Sequence, residues 1–341
     1  MTSDKPSSWP RVAATVGLLT VIISVLLTAF AWPAVRSSVH DVPIAVAGPA
    51  PAVQQVTAAL EQRLPDAFEI TVVGSTAAAE EMIRDREAYG AIDLTSGSPQ
   101  ILTASAASAA IAQTLNAVGT ALSQAQAQGG APAVAVRDIA ALPADDPRGA
   151  GLAAGALPLV IGGIMAAALL TARLRGTGRR VAGALSFAVT GGLAMAAILQ
   201  FWLGSLGGDY LANAGAITLS IAATALTLLG LESLLGAAGL GLGAAVMMLV
   251  GNPLSGVATA PEMLPGWSGA VGQVLPPGAG GSLLRSTAFF DGAAATHPIV
   301  VLFGWLAFGA LLCVASAVRA GRRPAPAAAE PATRETAPVT V

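Results

Sequence analysis

Nearly uncharged runs of about 20 residues, the length a helix needs to cross a bilayer, constrain this chain more than any other feature. They occupy residues 12–32, 151–172, 181–203 and 297–318, with a further stretch of double length at 211–250. Only 11% of the 341 residues are charged and 54% are hydrophobic, with a mean hydropathy of +0.70. A soluble domain carries roughly 25% charged residues, so water cannot be the solvent for most of this surface. The apolar content and a formal net charge of −2 exclude a disordered chain as well. The expected class is a polytopic α-helical membrane protein.

Charge placement sets the expected topology. Lys5 and Arg11 precede the first run, and four arginines (Arg173, Arg175, Arg179 and Arg180) fill the gap between the second and third. Short loops rich in Lys and Arg stay cytoplasmic, which puts 1–11 inside, 12–32 across as the first helix, and 173–180 inside. Arg319, Arg322 and Arg323 follow the last run, so 319–341 is expected inside, with a disordered end over 324–341. Both termini on one side require an even number of passes. The stretch 211–250 is therefore expected to be a two-helix hairpin turning within 232–239, for six transmembrane helices in all. An alternative for the first run is a cleaved signal with Ala29-Phe30-Ala31 as its small-x-small site. Its uninterrupted length exceeds the usual signal core of about 7 to 15 residues, and a retained anchor is the expectation.

The segment 37–149 has another character. It holds twelve acidic residues against five arginines, a balance of −7, while the expected cytoplasmic pieces balance to +7. The basic face would lie against anionic lipid. Alternating short β-type and helix-type patterns predict strands over 42–48, 68–74, 89–94, 100–105 and 133–137 and helices over 52–64, 76–86 and 106–128, with Ser75 as a cap. This is a small extracytoplasmic α/β domain between helices 1 and 2, long enough for its own core. The pairs Glu80-Glu81 and Asp145-Asp146 read as solvated surface and as a turn before the second pass.

Chemistry-bearing groups are sparse. One cysteine, Cys313, lies in an apolar run and reads as a small hydrophobe, and His40 and His297 are far apart. No catalytic set, metal site or cofactor motif is expected, and no nucleic-acid partner. Glu232 is the only acidic residue in 211–250; an ionisable group at membrane depth is a functional candidate, or else it is solvated at the cytoplasmic turn. Arg285 and Asp291 flank Phe289-Phe290 and can form an ion pair or touch a lipid headgroup. The pairs Gly151/Gly155 and Gly239/Gly243 have the small-residue spacing of close helix packing.

The stretch 252–297 is too broken by Pro and Gly to span, yet too apolar for an ordinary loop. It reads as a re-entrant outer segment, with an amphipathic helix in the outer leaflet and Trp267 at the interface. The five-helix part 151–318 carries it. Pro253 near the end of the fifth pass, Met263-Leu-Pro-Gly-Trp267, Leu275-Pro-Pro277 and Arg285 resemble the C-terminal part of ABC transporter type 2 permeases, in particular the phage-infection-protein-like branch of bacterial membrane proteins. That branch also has an extracellular domain after its first helix, opening with a strand like 42–48 and continuing through a segment like 89–94.

The resemblance implies a permease subunit of a bacterial inner membrane, bound by membrane lipids and forming a homodimer or heterodimer. A separate ATP-binding subunit would energise it, since no Gly-x-x-x-x-Gly-Lys-Ser/Thr loop occurs in the chain. Its cargo would be a hydrophobic or amphipathic molecule moved outward, and Arg173, Arg175, Arg179 and Arg180 would form the cytoplasmic coupling loop. Such permeases usually offer their ATPase an amphipathic N-terminal helix and a larger loop than this one. The other expectation is therefore a non-transporting scaffold or receptor whose outer domain binds an envelope ligand or protein.

Overall fold

The computed structural model describes residues 7–127 and 133–321; the expected tail over 324–341 lies outside them, as do Lys5, Arg322 and Arg323. The chain opens with α1 (Trp9–Arg36), then β1 (Val42–Ala47), α2 (Ala50–Arg63), β2 (Phe68–Val73), α3 (Thr76–Arg84), β3 (Gly90–Asp93), β4 (Gln100–Thr103), α4 (Ala109–Ala127) and β5 (Ala135–Asp138). It continues with α5 (Ala150–Arg173), α6 (Thr177–Ala197) extended by a π-turn (Ile198–Trp202), α7 (Tyr210–Leu235), and α8 (Ala237–Ala245) extended by a second π-turn (Val246–Gly251). A 3₁₀ turn (Pro261–Met263), α9 (Ser268–Gln273), α10 (Pro276–Phe289) and α11 (Thr296–Gly321) complete it.

Among the described residues, five helices are long and apolar enough to cross a membrane: α1, α5, α6 with its π-turn, α7 and α11. The expected hairpin in 211–250 does turn, at Gly236, whose φ of +67° ends α7. Its second arm, however, spans only Ala237 to Gly251, about 22 Å at 1.5 Å per residue, short of a hydrocarbon core of about 30 Å. Among the described residues, five full-length helices are therefore found and not the expected six. The return is made instead by a broken path. Ser316 near the end of α11 donates to the Ser233 carbonyl (2.7 Å) at the end of α7, while the residues leading into α11 pack against the sheet domain. Between Gly236 and Thr296 the chain thus passes from one end of the bundle to the other through α8, its π-turn, irregular backbone and α10.

Helix α7 fills the centre, with 78% of its apolar window buried. Around it stand α5, α6, α10 and α11. Capping sets its start, since the Asp209 carboxylate accepts from Ala212 N–H at 2.8 Å, satisfying an otherwise orphaned donor. Asp146 does the same for α5, accepting from Ala150 and Gly151 N–H at 2.8 and 2.7 Å. Of the four spaced glycines, Gly151 and Gly155 face Ser205 and Leu199, and Gly239 and Gly243 face Leu231 and Leu228. All four sit where a neighbouring segment comes close. Helix α1 differs from the rest: none of its apolar window is buried within the chain.

The expected amphipathic surface helix of the re-entrant segment takes another form. Eleven residues of α10 are buried, from Pro276 to Ala288, because its small face presses on α7: a Cβ at Gly280 would come within 2.9 Å of the Ser220 Cβ. A helix that can approach its neighbour so closely gains contact on the protein side rather than in the leaflet.

The five strands form one sheet in the order β2-β1-β3-β4-β5, all parallel neighbours except the antiparallel β3–β4 pair. Strict alternation along β1 divides two cores. Val42, Ile44 and Val46 pack with Val53 and Leu60 of α2 and Ile111 and Leu115 of α4. Ala45 and Ala47 face the other way, with Ala79 and Ile83 of α3. Neither core is closed by the domain itself. Ala260 and Met263 complete the first, and Phe290 completes the second, so the re-entrant segment is built into the sheet domain from below.

Candidate functional site

The seam between sheet domain and bundle contains a chamber of about 250 Å³, lined among others by Arg86, Tyr89, Glu262, Gln273, Arg285 and His297. Its first cation comes from the end of α3. The helix stops at Arg84, two residues before its expected end, because Arg86 adopts a left-handed φ of +62°, an uncommon conformation for a side-chain-bearing residue. That turn sends the guanidinium into the bundle. It donates to the Ser282 carbonyl at 3.1 Å and to the Ser286 hydroxyl, and lies 5.4 Å from the centre of the Phe290 ring, in cation–π range.

The second cation, Arg285, stands on α10 and is 6% exposed. One of its terminal nitrogens donates to the Val257 carbonyl at 2.7 Å. Its Nε–H has no partner among the described residues. Burial lowers Arg86, with Tyr89 and Glu262 acting in the other direction. Facing the pair, the Tyr89 hydroxyl donates to a Glu262 carboxylate oxygen at 2.6 Å. Burial pushes the Tyr89 phenol up, and the Glu262 carboxylate adds to the shift, so Tyr89 stays a neutral donor.

The inner chamber therefore holds two guanidinium groups and one carboxylate, and among the described residues neither arginine forms a salt bridge. Glu87 and His297 lie exposed at its rim. The arrangement can bind and orient a polar group. Among the described residues no three His, Cys, Asp or Glu side chains are grouped to hold a metal ion.

The other expected positions are scattered. Arg285 is turned inward, and no ion pair with Asp291 forms among the described residues. Asp291 is exposed, with a φ of +49°. Glu232 is neither free nor simply solvated: in the last turn of α7 it accepts from Arg180 at 2.8 Å. Arg180 also donates to the Leu174 and Thr171 carbonyls, at 3.0 and 3.2 Å, tying the α5–α6 connection to α7. The rest of that loop, Arg173, Arg175 and Arg179, is exposed. Trp267 is 69% exposed, and Pro253 is half-buried just after the second π-turn. Glu80, paired with Arg84 at 2.8 Å and with Arg137, is held below the usual carboxylate range: burial raises it, but the two arginines outweigh that.

Arg86, Tyr89 and Glu262 were not among the expected site residues. A signal existed for Glu262, the one acidic residue between Glu232 and Asp291, as it did for Arg285, the sole Lys or Arg between Arg180 and Arg319. Compared with known proteins, the chain matches no family model, no curated protein and no solved structure.

Proposed function

We propose that this protein is a permease-like integral subunit of a bacterial inner membrane, moving a hydrophobic or amphipathic molecule outward as part of an ABC-type exporter. In this reading both termini are cytoplasmic, the sheet domain faces outward, and the broken traverse through α8 and α10 serves as the sixth pass. The observation that carries the reading is that traverse: a discontinuous, Pro- and Gly-rich return through the bundle with a buried cation inside it. Interrupted helices of this kind mark substrate and ion sites in membrane transporters. Because α7 fills the centre of one copy, the pathway is assigned to the surface between two copies, where α1 offers an uncovered apolar face. Exposed Arg173, Arg175, Arg179 and Arg319 supply a basic cytoplasmic face for anionic lipid and for a separate ATP-binding subunit.

A second reading has its own support. The α5–α6 connection is only Leu174 to Gly176, and Arg180 is committed to Glu232, which leaves an ATPase little to grip. A receptor or scaffold whose outer domain binds an envelope ligand fits that observation. Crosslinking and purification from native membranes separates the two. Recovery of an ATP-binding subunit, with a change in accumulation of lipophilic compounds on deletion of the gene, supports the permease. Reproducible recovery of envelope partners without such a subunit overturns it in favour of the receptor.

A further inference from the structure

The geometry points to the Arg86–Arg285 chamber as a binding site for a phosphate-type oxyanion, supplied either by a lipid headgroup or by free phosphate. Three observations carry this. First, the inner charge does not balance: two guanidinium groups face one carboxylate, and Glu262 is already engaged by the Tyr89 hydroxyl at 2.6 Å. Isolated buried charge is costly, and proteins hold it where a counter-charge is to be bound. Second, Arg285 is 6% exposed yet keeps an unpartnered Nε–H. A guanidinium presents its donors as a planar fork matched to phosphate and carboxylate oxygens, and here one prong remains free. Third, Arg86 is held in a left-handed backbone conformation. That strain is sustained by the Ser282 and Ser286 contacts and the Phe290 ring, the kind of local cost that clusters at ligand clamps.

The chamber's size, about 250 Å³, suits a headgroup or a small anion rather than a folded partner. Its two cations come from opposite sides of the seam, Arg86 from the sheet domain and Arg285 from α10. A bound oxyanion would therefore bridge the two parts of the chain and tighten their contact. This binding stands whether or not the protein transports anything, so the failure of one idea leaves the other to be judged separately.

The test uses the full chain purified in a neutral detergent, titrated with inorganic phosphate, short-chain phosphatidylglycerol and short-chain phosphatidylcholine, with bound ligand counted by native mass spectrometry and affinity by calorimetry. One equivalent of phosphate or of either phospholipid is expected, and the one that binds identifies the source. Arg285→Lys and Arg86→Lys keep a positive charge but lose the fork. Each is expected to weaken binding roughly 10- to 100-fold, the worth of a charge-assisted hydrogen bond. Glu262→Gln removes the competing carboxylate and should tighten it, a change that a purely structural role for the cluster does not produce. The proposal is overturned if neither phosphate nor either phospholipid binds, or if both arginine variants bind unchanged.

Discussion

The α7–α11 contact offers the sharpest test of the packing, through Gly309→Ala. A Cβ built at Gly309 meets the Leu226 carbonyl carbon and the Thr227 nitrogen of α7 at 2.4 Å, and one at Gly230 meets the Gly309 carbonyl oxygen at 2.6 Å. Ordinary contact begins at 3.4 Å, so the methyl added at Gly309 must part the helices by close to 1.0 Å, the difference between 3.4 and 2.4 Å. The obstacle is backbone, which cannot swing aside as a side chain can. Forcing extra volume into a packed core costs about 1 to 3 kcal/mol. The same separation stretches the bond from the Thr227 hydroxyl to the Trp305 carbonyl, now 3.1 Å, at about 1 kcal/mol more. The total of about 2 to 4 kcal/mol corresponds to a fall in unfolding temperature of roughly 3 to 6 °C for a chain of this size.

The protein carries its own reporter for this experiment. Cys313, the single cysteine, lies one turn beyond Gly309 and is 4% exposed, so maleimide labelling of the native protein in detergent reads the opening of that seam. Gly309→Ala should label faster and unfold earlier. Gly304→Ala on the same helix, where an added Cβ meets nothing within 4 Å, should match the wild type. Equal labelling rates and midpoints for the two variants would refute the close-packing argument.

Three further outcomes are expected. Removing either partner of the Arg180–Glu232 pair, whose side chains are 21% and 14% exposed, should cost about 1 to 3 kcal/mol; a double-mutant cycle that shows no coupling in thermal unfolding would exclude a structural bridge. Phe290→Ala should cost about 3 to 5 kcal/mol and make the segment 37–149 more sensitive to limited proteolysis than the bundle, because Phe290 closes one face of the sheet and stacks on Arg86. The Asp93 carboxyl is raised by burial, but hydrogen bonds from Thr95 and Thr76 outweigh this and hold it low. A depressed pKa gives stability that is present at neutral pH and lost as pH falls through the folded value. The advantage of wild type over Asp93→Asn should therefore shrink below about pH 4, and a constant gap down to pH 2 would contradict it.

Elements whose identity depends on near neighbours were legible in the sequence. The strand period of 42–48 matches β1, and Ser75 accepts from Ala78 N–H at 3.2 Å as the expected cap of α3. The turn of the 211–250 hairpin falls at Gly236, inside the expected window. What followed the turn was not legible, because hydropathy alone cannot tell a full pass from a short arm that ends in a π-turn and Asn252-Pro253. The chamber was hidden for a different reason. Arg86 and Ser282 are 196 residues apart, and only the docking of two separately patterned regions brings them together. The left-handed turn at Arg86 carries no residue signature such as Gly, and so left no trace in the pattern.

The way the sheet closes has a consequence for biogenesis. A ribosome finishes the strands and helices of 42–138 well before it reaches Ala260, Met263 and Phe290, the residues that seal both faces of the sheet. At about 5 to 20 residues per second, the delay from residue 149 to residue 290 is roughly 7 to 30 seconds. Throughout that interval the nascent domain exposes unsealed apolar faces, a natural client for a holding chaperone on whichever side of the bilayer it emerges. Expressed by itself, the sheet domain would be a permanently unfinished nascent chain, so soluble fragments of this protein should aggregate where the whole chain does not.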